Sequence, residues 1–161
     1  MSRAAILLVE DDRLSRTATV ALLTEAGYEV RAAAGAEDLE RKAKADPAFI
    51  SNLALIILDI ELYENLGRSR EDKSGTHTGM AMTGTQLGLS LALAYPELRK
   101  VPFVVYSARD PAAIQASLDE MASLLEMEGF VQQNFRGFVV KDERFADSLL
   151  YLVRLIVDSA G

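Results

Sequence analysis

Charged and hydroxyl side chains follow four short apolar runs of the sequence, at the point where each run ends. Apolar runs of this kind are typical of strands that are buried on both faces of a parallel sheet. The residues that follow them, in chain order, are Glu10, Asp11 and Asp12, then Asp59, Ser107 and Lys141. Because the carboxyl ends of parallel strands meet at one edge, where open α/β sheets hold their ligands, we expect these side chains to form one site.

The chemistry of such a site follows from its residue types. Several carboxylates at one point repel one another, so they need protons or a cation. Oxygen ligands without histidine or cysteine suit Mg²⁺, which keeps waters and leaves room for a phosphate oxygen. A carboxylate such as Asp59 can then attack a phosphoryl group, whose oxygens the Lys141 ammonium and the Ser107 hydroxyl can hold. The set predicts a site for reversible aspartate phosphorylation.

Strand and helix signals alternate five times along the chain, which predicts a parallel sheet covered by helices on both faces. In the first helix, Asp12 can act as the N-cap and Gly27 as the stop. In the fourth predicted helix, Pro111 suits the first position and Gly129 can end the helix. Residues 65–84 break this rhythm close to the predicted site. They form either a lid over it or a surface insertion without a role.

Length and composition restrict the class of protein. A chain of 161 residues predicts a single domain, residues 1–161. With 17 basic and 24 acidic residues the net charge is -7, which argues against broad binding to nucleic acid or anionic membranes. The sequence has no cysteine, and no apolar stretch approaches the ~20 residues that span a bilayer. We therefore expect a cytoplasmic protein.

With these motifs the sequence resembles the receiver domain of two-component response regulators. Residues 6–12 are similar to the family's opening strand and acidic pair. Asp59 falls on the phosphoacceptor, Ser107 and Ala108 on the hydroxyl–small pair, and Lys141 on the family's lysine. The resemblance implies a flavodoxin-like, doubly wound sheet with strand order 2-1-3-4-5. It covers the whole chain apart from an insertion after the third strand, at residues 65–84, and an enlarged region around the fourth helix, at residues 120–136.

The resemblance implies a role for each acid at the site. Asp59 would accept the phosphoryl group, with Mg²⁺ as the cofactor. Asp11 would bind the ion directly, Glu10 mostly through water, and the backbone carbonyl of Glu61 would be a further ligand beside Asp59. The chain would then be a signalling receiver rather than an enzyme, with at most self-catalysed phosphorylation and dephosphorylation.

The resemblance also implies a switch and a set of partners. Phe138 matches the aromatic residue whose rotamer reports phosphorylation, and Ser107 would move with it. The phosphoryl donor would be a sensor histidine kinase or a histidine phosphotransfer protein. The face formed by the fourth helix, the fifth strand and the last helix would contact a separate output protein, or an output domain lost from a longer regulator. The same face could form a homodimer, and neither nucleic acid nor membrane would be bound directly.

Two other functions stay open, and a departure from the family favours one of them. Asp142 follows Lys141 where the family has a proline, often cis. A cis bond before a non-proline residue costs ~2.5–4 kcal/mol, so we expect a trans bond and a different aim for Lys141. That change and the insertion favour a pseudo-receiver, a binding module that is not phosphorylated. A haloacid-dehalogenase-like phosphatase uses the same residue types, but places its nucleophile on the first strand, the reverse of the order here.

Overall fold

The computed structural model describes residues 4–59, 94–107 and 111–159, and in this part of the chain five parallel strands form one sheet. The strands are β1 (Ala5–Val9), β2 (Glu29–Ala33), β3 (Leu53–Asp59), β4 (Phe103–Ser107) and β5 (Phe135–Val140). Their spatial order is β2-β1-β3-β4-β5. This order confirms the predicted flavodoxin-like fold class. The predicted insertion at 65–84 lies outside the described residues.

Helices connect the strands and cover both faces of the sheet. They are α1 (Arg13–Glu25), α2 (Ala36–Ala45), α3 (Pro111–Leu124), α4 (Glu128–Asn134) and α5 (Phe145–Val153), which continues as a π-helical turn (Arg154–Asp158). Short 3₁₀ helices at Pro47–Ile50 and Pro96–Lys100 lead into β3 and β4. Across the described ranges, no helix combines the length and the apolar character that crossing a bilayer demands.

The two ends of α1 are where the sequence predicts them. The side chain of Asp12 accepts a hydrogen bond from the backbone N–H of Ser15 at 2.7 Å, so Asp12 is the N-cap. After the helix, Gly27 has a φ of 99°, in the left-handed region that glycine adopts without penalty. The N–H groups of Gly27 and Tyr28 close a Schellman motif on the last turn, 3.0 and 3.1 Å from their acceptors.

The fourth predicted helix is divided in two, so the prediction that Gly129 ends it is wrong. The helix α3 already ends at Leu124, and Glu126 follows with a φ of 56°. The N–H of Met127 reaches back to the carbonyl of Ala122 at 2.8 Å, a Schellman closure without glycine. Met127 and Ala122 are both buried, and this apolar contact favours the turn. Gly129 lies inside α4, which accounts for the predicted enlargement of this region.

Alternation along the strands divides the core into two clusters, one on each face of the sheet. One cluster lies under α2, α3 and α4 and includes Leu7, Ile56, Leu58, Phe103 and Val105 with Leu39, Leu118 and Val131. The other lies under α1 and α5 and includes Ile6, Leu8, Ile57, Val104 and Tyr106 with Leu23, Leu149 and Val153. Both faces of the central strands are therefore shielded from water, as their continuous apolar runs predict.

A β-bulge in β5 sets the direction of its last side chains. Between the pairs Phe103–Phe135 and Val105–Phe138, β5 holds one more residue than β4. Gly137 lies in the bulge with a φ of 129°. Phe135 and Phe138 consequently pack against the same cluster, with ring centroids 4.9 Å apart, although residues three apart in a regular strand face opposite ways.

Candidate functional site

Three carboxylates meet at the carboxyl edge of β1 and β3. Glu10 and Asp11 follow β1, and Asp59 is the last residue of β3. One carboxylate oxygen from each lies within 4.8 Å of the others. Glu10 and Asp59 are buried, and Asp11 is half-buried. The strands end together because β1 and β3 pair in parallel with Val9 opposite Leu58.

Lys141 reaches this cluster from β5, on the far side of β4. Its ammonium nitrogen lies 3.2 Å from Asp59 Oδ1 and 3.4 Å from Glu10 Oε1, and its side chain is 19% exposed. The peptide bond to Asp142 is trans, since the described residues contain no cis bond. The departure from the family's proline therefore does not turn Lys141 away from Asp59.

The cluster carries more negative than positive charge. Burial opposes ionisation of Glu10, but hydrogen bonding with Ser15 and the charge of Lys141 favour the carboxylate, and the pKa of Glu10 lies below its ordinary value. Glu10 is therefore a carboxylate at neutral pH. An oxygen-only donor set with excess negative charge suits a hard divalent cation, and the residues present fit Mg²⁺.

Arg16 supports the loop that carries Glu10 and Asp11, and the sequence analysis missed it. Its guanidinium donates to the backbone carbonyls of Glu10 and Asp11 at 2.8 and 3.3 Å. The first turn of α1 contains no acidic residue. The helix dipole disfavours a cation near a helix N-terminus. The position of Arg16 near the start of α1 could therefore have indicated, from the sequence, that this side chain has a local partner.

Tyr106 is a second residue that the sequence analysis missed. It is the register partner of Asp59 on β4 and is fully buried. The Lys141 nitrogen lies 4.6 Å from the centroid of its ring, and the ring stacks on Phe145 at 5.5 Å. Burial and the charges of Glu10 and Asp59 raise the pKa of Tyr106, so its hydroxyl stays protonated. In the sequence, Tyr106 is recognisable only as the last apolar residue of a strand.

The remaining predicted site residues are Ser107, Glu61 and Phe138, and the structure describes only some of them. Ser107 is the last residue of β4, and its backbone lies opposite Val140 of β5. Glu61 lies outside the described residues. Phe138 is half-buried and belongs to the aromatic group around Phe135. The structure thus brings together Glu10, Asp11, Asp59 and Lys141, while the predicted roles of all the site residues stay predictions.

A groove lies on the other side of Phe138, between β5 and α5. Its volume is about 580 Å³. The residues that line it are Phe138, Val139, Arg144, Asp147, Ser148, Tyr151 and Leu152. Tyr151 is 70% exposed on the outer wall of this groove. Phe138 therefore connects the strand that leads to Lys141 with an open, partly apolar surface.

Comparison with known proteins identifies the fold. No protein-family model matches the sequence, and no curated protein matches it. Among solved structures, the chain is similar to the chemotaxis protein CheY4 of Vibrio cholerae, with 17% identity, a TM-score of 0.62, and 96% of this chain and 99% of that chain covered. It is also similar to a CheY-like response regulator receiver domain protein from Methanospirillum hungatei JF-1, with 20% identity, a TM-score of 0.60, and 98% and 96% covered.

The receiver domain of NtrX from Brucella abortus is a third similar structure, with 19% identity, a TM-score of 0.61, and 96% of this chain and 98% of that chain covered. These likenesses extend over nearly the whole of each chain. The fold of this protein is therefore that of CheY-like response regulator receiver domains.

Proposed function

We propose that this protein is a response regulator receiver that accepts a phosphoryl group on Asp59. The observation that carries the proposal is the position of the Lys141 ammonium, 3.2 Å from Asp59 at the strand edge where Glu10 and Asp11 also lie. A buried carboxylate, a facing ammonium and two further acids are the groups that aspartate phosphorylation needs. The fold shared with solved receiver domains supports the same function.

The donor is a phosphohistidine on a sensor histidine kinase or a phosphotransfer protein. A carboxylate oxygen of Asp59 attacks phosphorus, and the P–N bond breaks as the new P–O bond forms. The electron pair passes to the imidazole nitrogen, which takes up a proton. Lys141 then neutralises charge on a phosphoryl oxygen, and the hydroxyl of Ser107 donates a hydrogen bond to another. Attack of water on the aspartyl-phosphate returns Asp59 and releases phosphate.

Glu10, Asp11 and Asp59, with the backbone carbonyl of Glu61, would hold Mg²⁺. When bound, the ion offsets the charge of the carboxylates and of the phosphoryl oxygens. Lys141 alone balances only one of the three carboxylates within 4.8 Å of one another. Arg16 fixes the carbonyls of Glu10 and Asp11, so the loop that carries two of the acids is held in place before an ion arrives.

Phosphorylation is read out on the face that contains the groove between β5 and α5. Movement of Ser107 toward the phosphoryl group opens space into which Phe138 turns. Because Phe138 lines the groove, its rotation changes the surface that an output protein or a second copy of the chain would contact.

The test is intact mass spectrometry after incubation with acetyl phosphate and Mg²⁺. The wild-type protein should gain the mass of one phosphoryl group, and a chelator should prevent the gain. Asp59→Asn should gain nothing. Asp12→Asn is the matched control, because Asp12 is exposed, lies outside the carboxylate cluster and is replaced by another good N-cap. An unmodified wild type, or a modified Asp59→Asn variant, would rule the function out.

A binding module that is never phosphorylated is the second candidate. It is favoured by Asp142, an exposed acidic residue directly after Lys141, which adds negative charge next to a site that must accept a phosphoryl group. Binding of a partner without any Mg²⁺-dependent gain in mass would establish this candidate in place of the first.

A further inference from the structure

We infer that the ring of Tyr106 positions Lys141 over Asp59, which makes Tyr106 a positioning residue of the site. The inference rests on the proposed function and assigns a part of the same site. Lys141 follows β5, and Asp59 ends β3, so the lysine side chain must cross the end of β4. Tyr106 lies on that path, because it is the β4 residue that pairs with Asp59 on one side and with Val139 on the other.

The ring offers a fixed surface for the ammonium. It is fully buried, and it stacks on Phe145 of α5 with a centroid separation of 5.5 Å and an interplanar angle of 26°. The Lys141 nitrogen lies 4.6 Å from the ring centroid, within the range of a cation–π interaction.

The ring and the carboxylates hold Lys141 in different ways. Asp59 and Glu10 attract the ammonium by charge at 3.2 and 3.4 Å. A divalent cation among the same carboxylates would weaken that attraction and repel the ammonium. The attraction of the ring does not depend on the charge of the carboxylates. The contact with Tyr106 therefore contributes most to the position of Lys141 when a divalent cation is bound, which is the state in which Asp59 would be phosphorylated.

The hydroxyl of Tyr106 is separable from this role. It is buried beside Glu10 and Ser15, but no hydrogen bond of ordinary geometry joins it to the described residues. A weak contact of this kind contributes little to stability. Tyr106→Phe keeps the ring and removes the hydroxyl, so it should fold about as well as the wild type. Tyr106→Leu removes the ring and should release Lys141.

Nuclear magnetic resonance of protein labelled with ¹³C at lysine Cε gives a readout that does not depend on phosphorylation. The Cε protons of Lys141, assigned by their loss in Lys141→Arg, should be shifted upfield by the ring. The shift should persist in Tyr106→Phe. Because it is lost with the ring in any case, ¹³C relaxation of Cε measures the positioning: the Lys141 side chain should be rigid in the wild type and in Tyr106→Phe and mobile in Tyr106→Leu. Val104→Ala is the matched control: Val104 is a buried β4 residue of the same core cluster, so truncating it loosens that core but keeps the ring.

Phosphorylation by acetyl phosphate with Mg²⁺ gives the functional readout. Tyr106→Phe should react at about the wild-type rate, and Tyr106→Leu about tenfold more slowly, as expected for the loss of a partly desolvated cation–π contact. Adding Tyr106→Leu to Lys141→Met should cause no further loss, because both changes remove the same contact.

The inference is wrong if folded Tyr106→Leu keeps a rigid Lys141 side chain, or if it reacts as fast as Val104→Ala. Tyr106→Met takes the place of Tyr106→Leu in both measurements if the leucine variant does not fold. A wild type that accepts no phosphoryl group would contradict the proposed function, but the mobility of the Lys141 side chain would still decide the role of Tyr106.

Discussion

The Lys141 ammonium lies 3.2 Å from a carboxylate oxygen of Asp59, although 82 positions separate the two residues in the chain. Asp59 is buried and the Lys141 side chain is only 19% exposed, so the pair is largely removed from water. Breaking such a pair by removing one partner leaves a charge without compensation. Here the remaining charges would be two buried carboxylates, because Glu10 shares the same lysine.

Lys141→Met should therefore destabilise the protein at neutral pH. We expect the free energy of unfolding to fall by about 3–5 kcal/mol, the usual cost of breaking a buried ion pair by removing one partner. Urea denaturation measures it. The loss should shrink in acid, where the carboxylates are protonated in both states. Lys44→Met is the control, since Lys44 is 74% exposed and its ion pair with Glu40 lies at the surface. Equal destabilisation by both substitutions would contradict the buried ion pair.

Asp11→Asn should separate the stability of the site from its affinity for Mg²⁺. Without Mg²⁺ the variant should be more stable than the wild type by about 1–2 kcal/mol, because one of three mutually repelling charges is removed. With Mg²⁺ at 100 times its dissociation constant the wild type should gain about 2.7 kcal/mol, whereas the variant should gain much less. Thermal denaturation with and without Mg²⁺ tests both effects. A variant with the full Mg²⁺ response would show that Asp11 is not a ligand.

Protonation of Asp38 should lower the stability of the protein in acid. Its carboxylate accepts a hydrogen bond from the N–H of Ala34 at 2.8 Å and pairs with Lys42 at 3.1 Å. Partial burial opposes the charged form, but the Ala34 hydrogen bond and the neighbouring cations outweigh it, and the pKa of Asp38 lies below its ordinary value of 3.8. The stabilisation is present above that ordinary value and is lost as the pH falls through the pKa of the folded state.

Asp38→Asn should accordingly lower the free energy of unfolding by about 0.5–1.5 kcal/mol at neutral pH. The difference from the wild type should vanish as the pH falls through the titration of Asp38. Urea denaturation across this range measures it, with the exposed Asp147→Asn as the control for the loss of one charge. A difference that persists unchanged into strong acid would show that the carboxylate is not the cause.

Two glycine-to-alanine substitutions should change the free energy of unfolding in opposite directions, because the backbone conformations of the two glycines differ. At both Gly129 and Gly137 an added Cβ would meet nothing within 4 Å. Gly129 is helical, so alanine should stabilise the protein by about 0.5–1 kcal/mol. Gly137 has a φ of +129°, so alanine there should destabilise it by about 1–3 kcal/mol. Chemical denaturation of the two variants measures both changes, and a Gly137→Ala variant as stable as the wild type would show that the bulge tolerates a side chain.

Local properties of the sequence were enough to predict the strands and the edge where the acids collect, whereas the strand order was predicted from the resemblance to receiver domains. The run 53–58 is apolar without interruption because β3 is covered on both faces, and Asp59 marks its end. The Asp12 cap and the Gly27 stop were predictable because each depends on a few neighbouring residues. The site residues could be proposed from the same reasoning, since parallel strands bring their carboxyl ends to one edge.

Only the tertiary structure decided how the residues of that edge meet. The bulge at Gly137 sets which side of the sheet Phe138 faces, and it depends on the register between β4 and β5, which the sequence of neither strand specifies. The placement of Lys141 over Tyr106 depends on a side chain crossing from β5 to β3. Such contacts join residues far apart in the chain, and their energy exists only once the sheet has formed. The sequence by itself determined which groups share the edge, and packing between strands determined which of them touch.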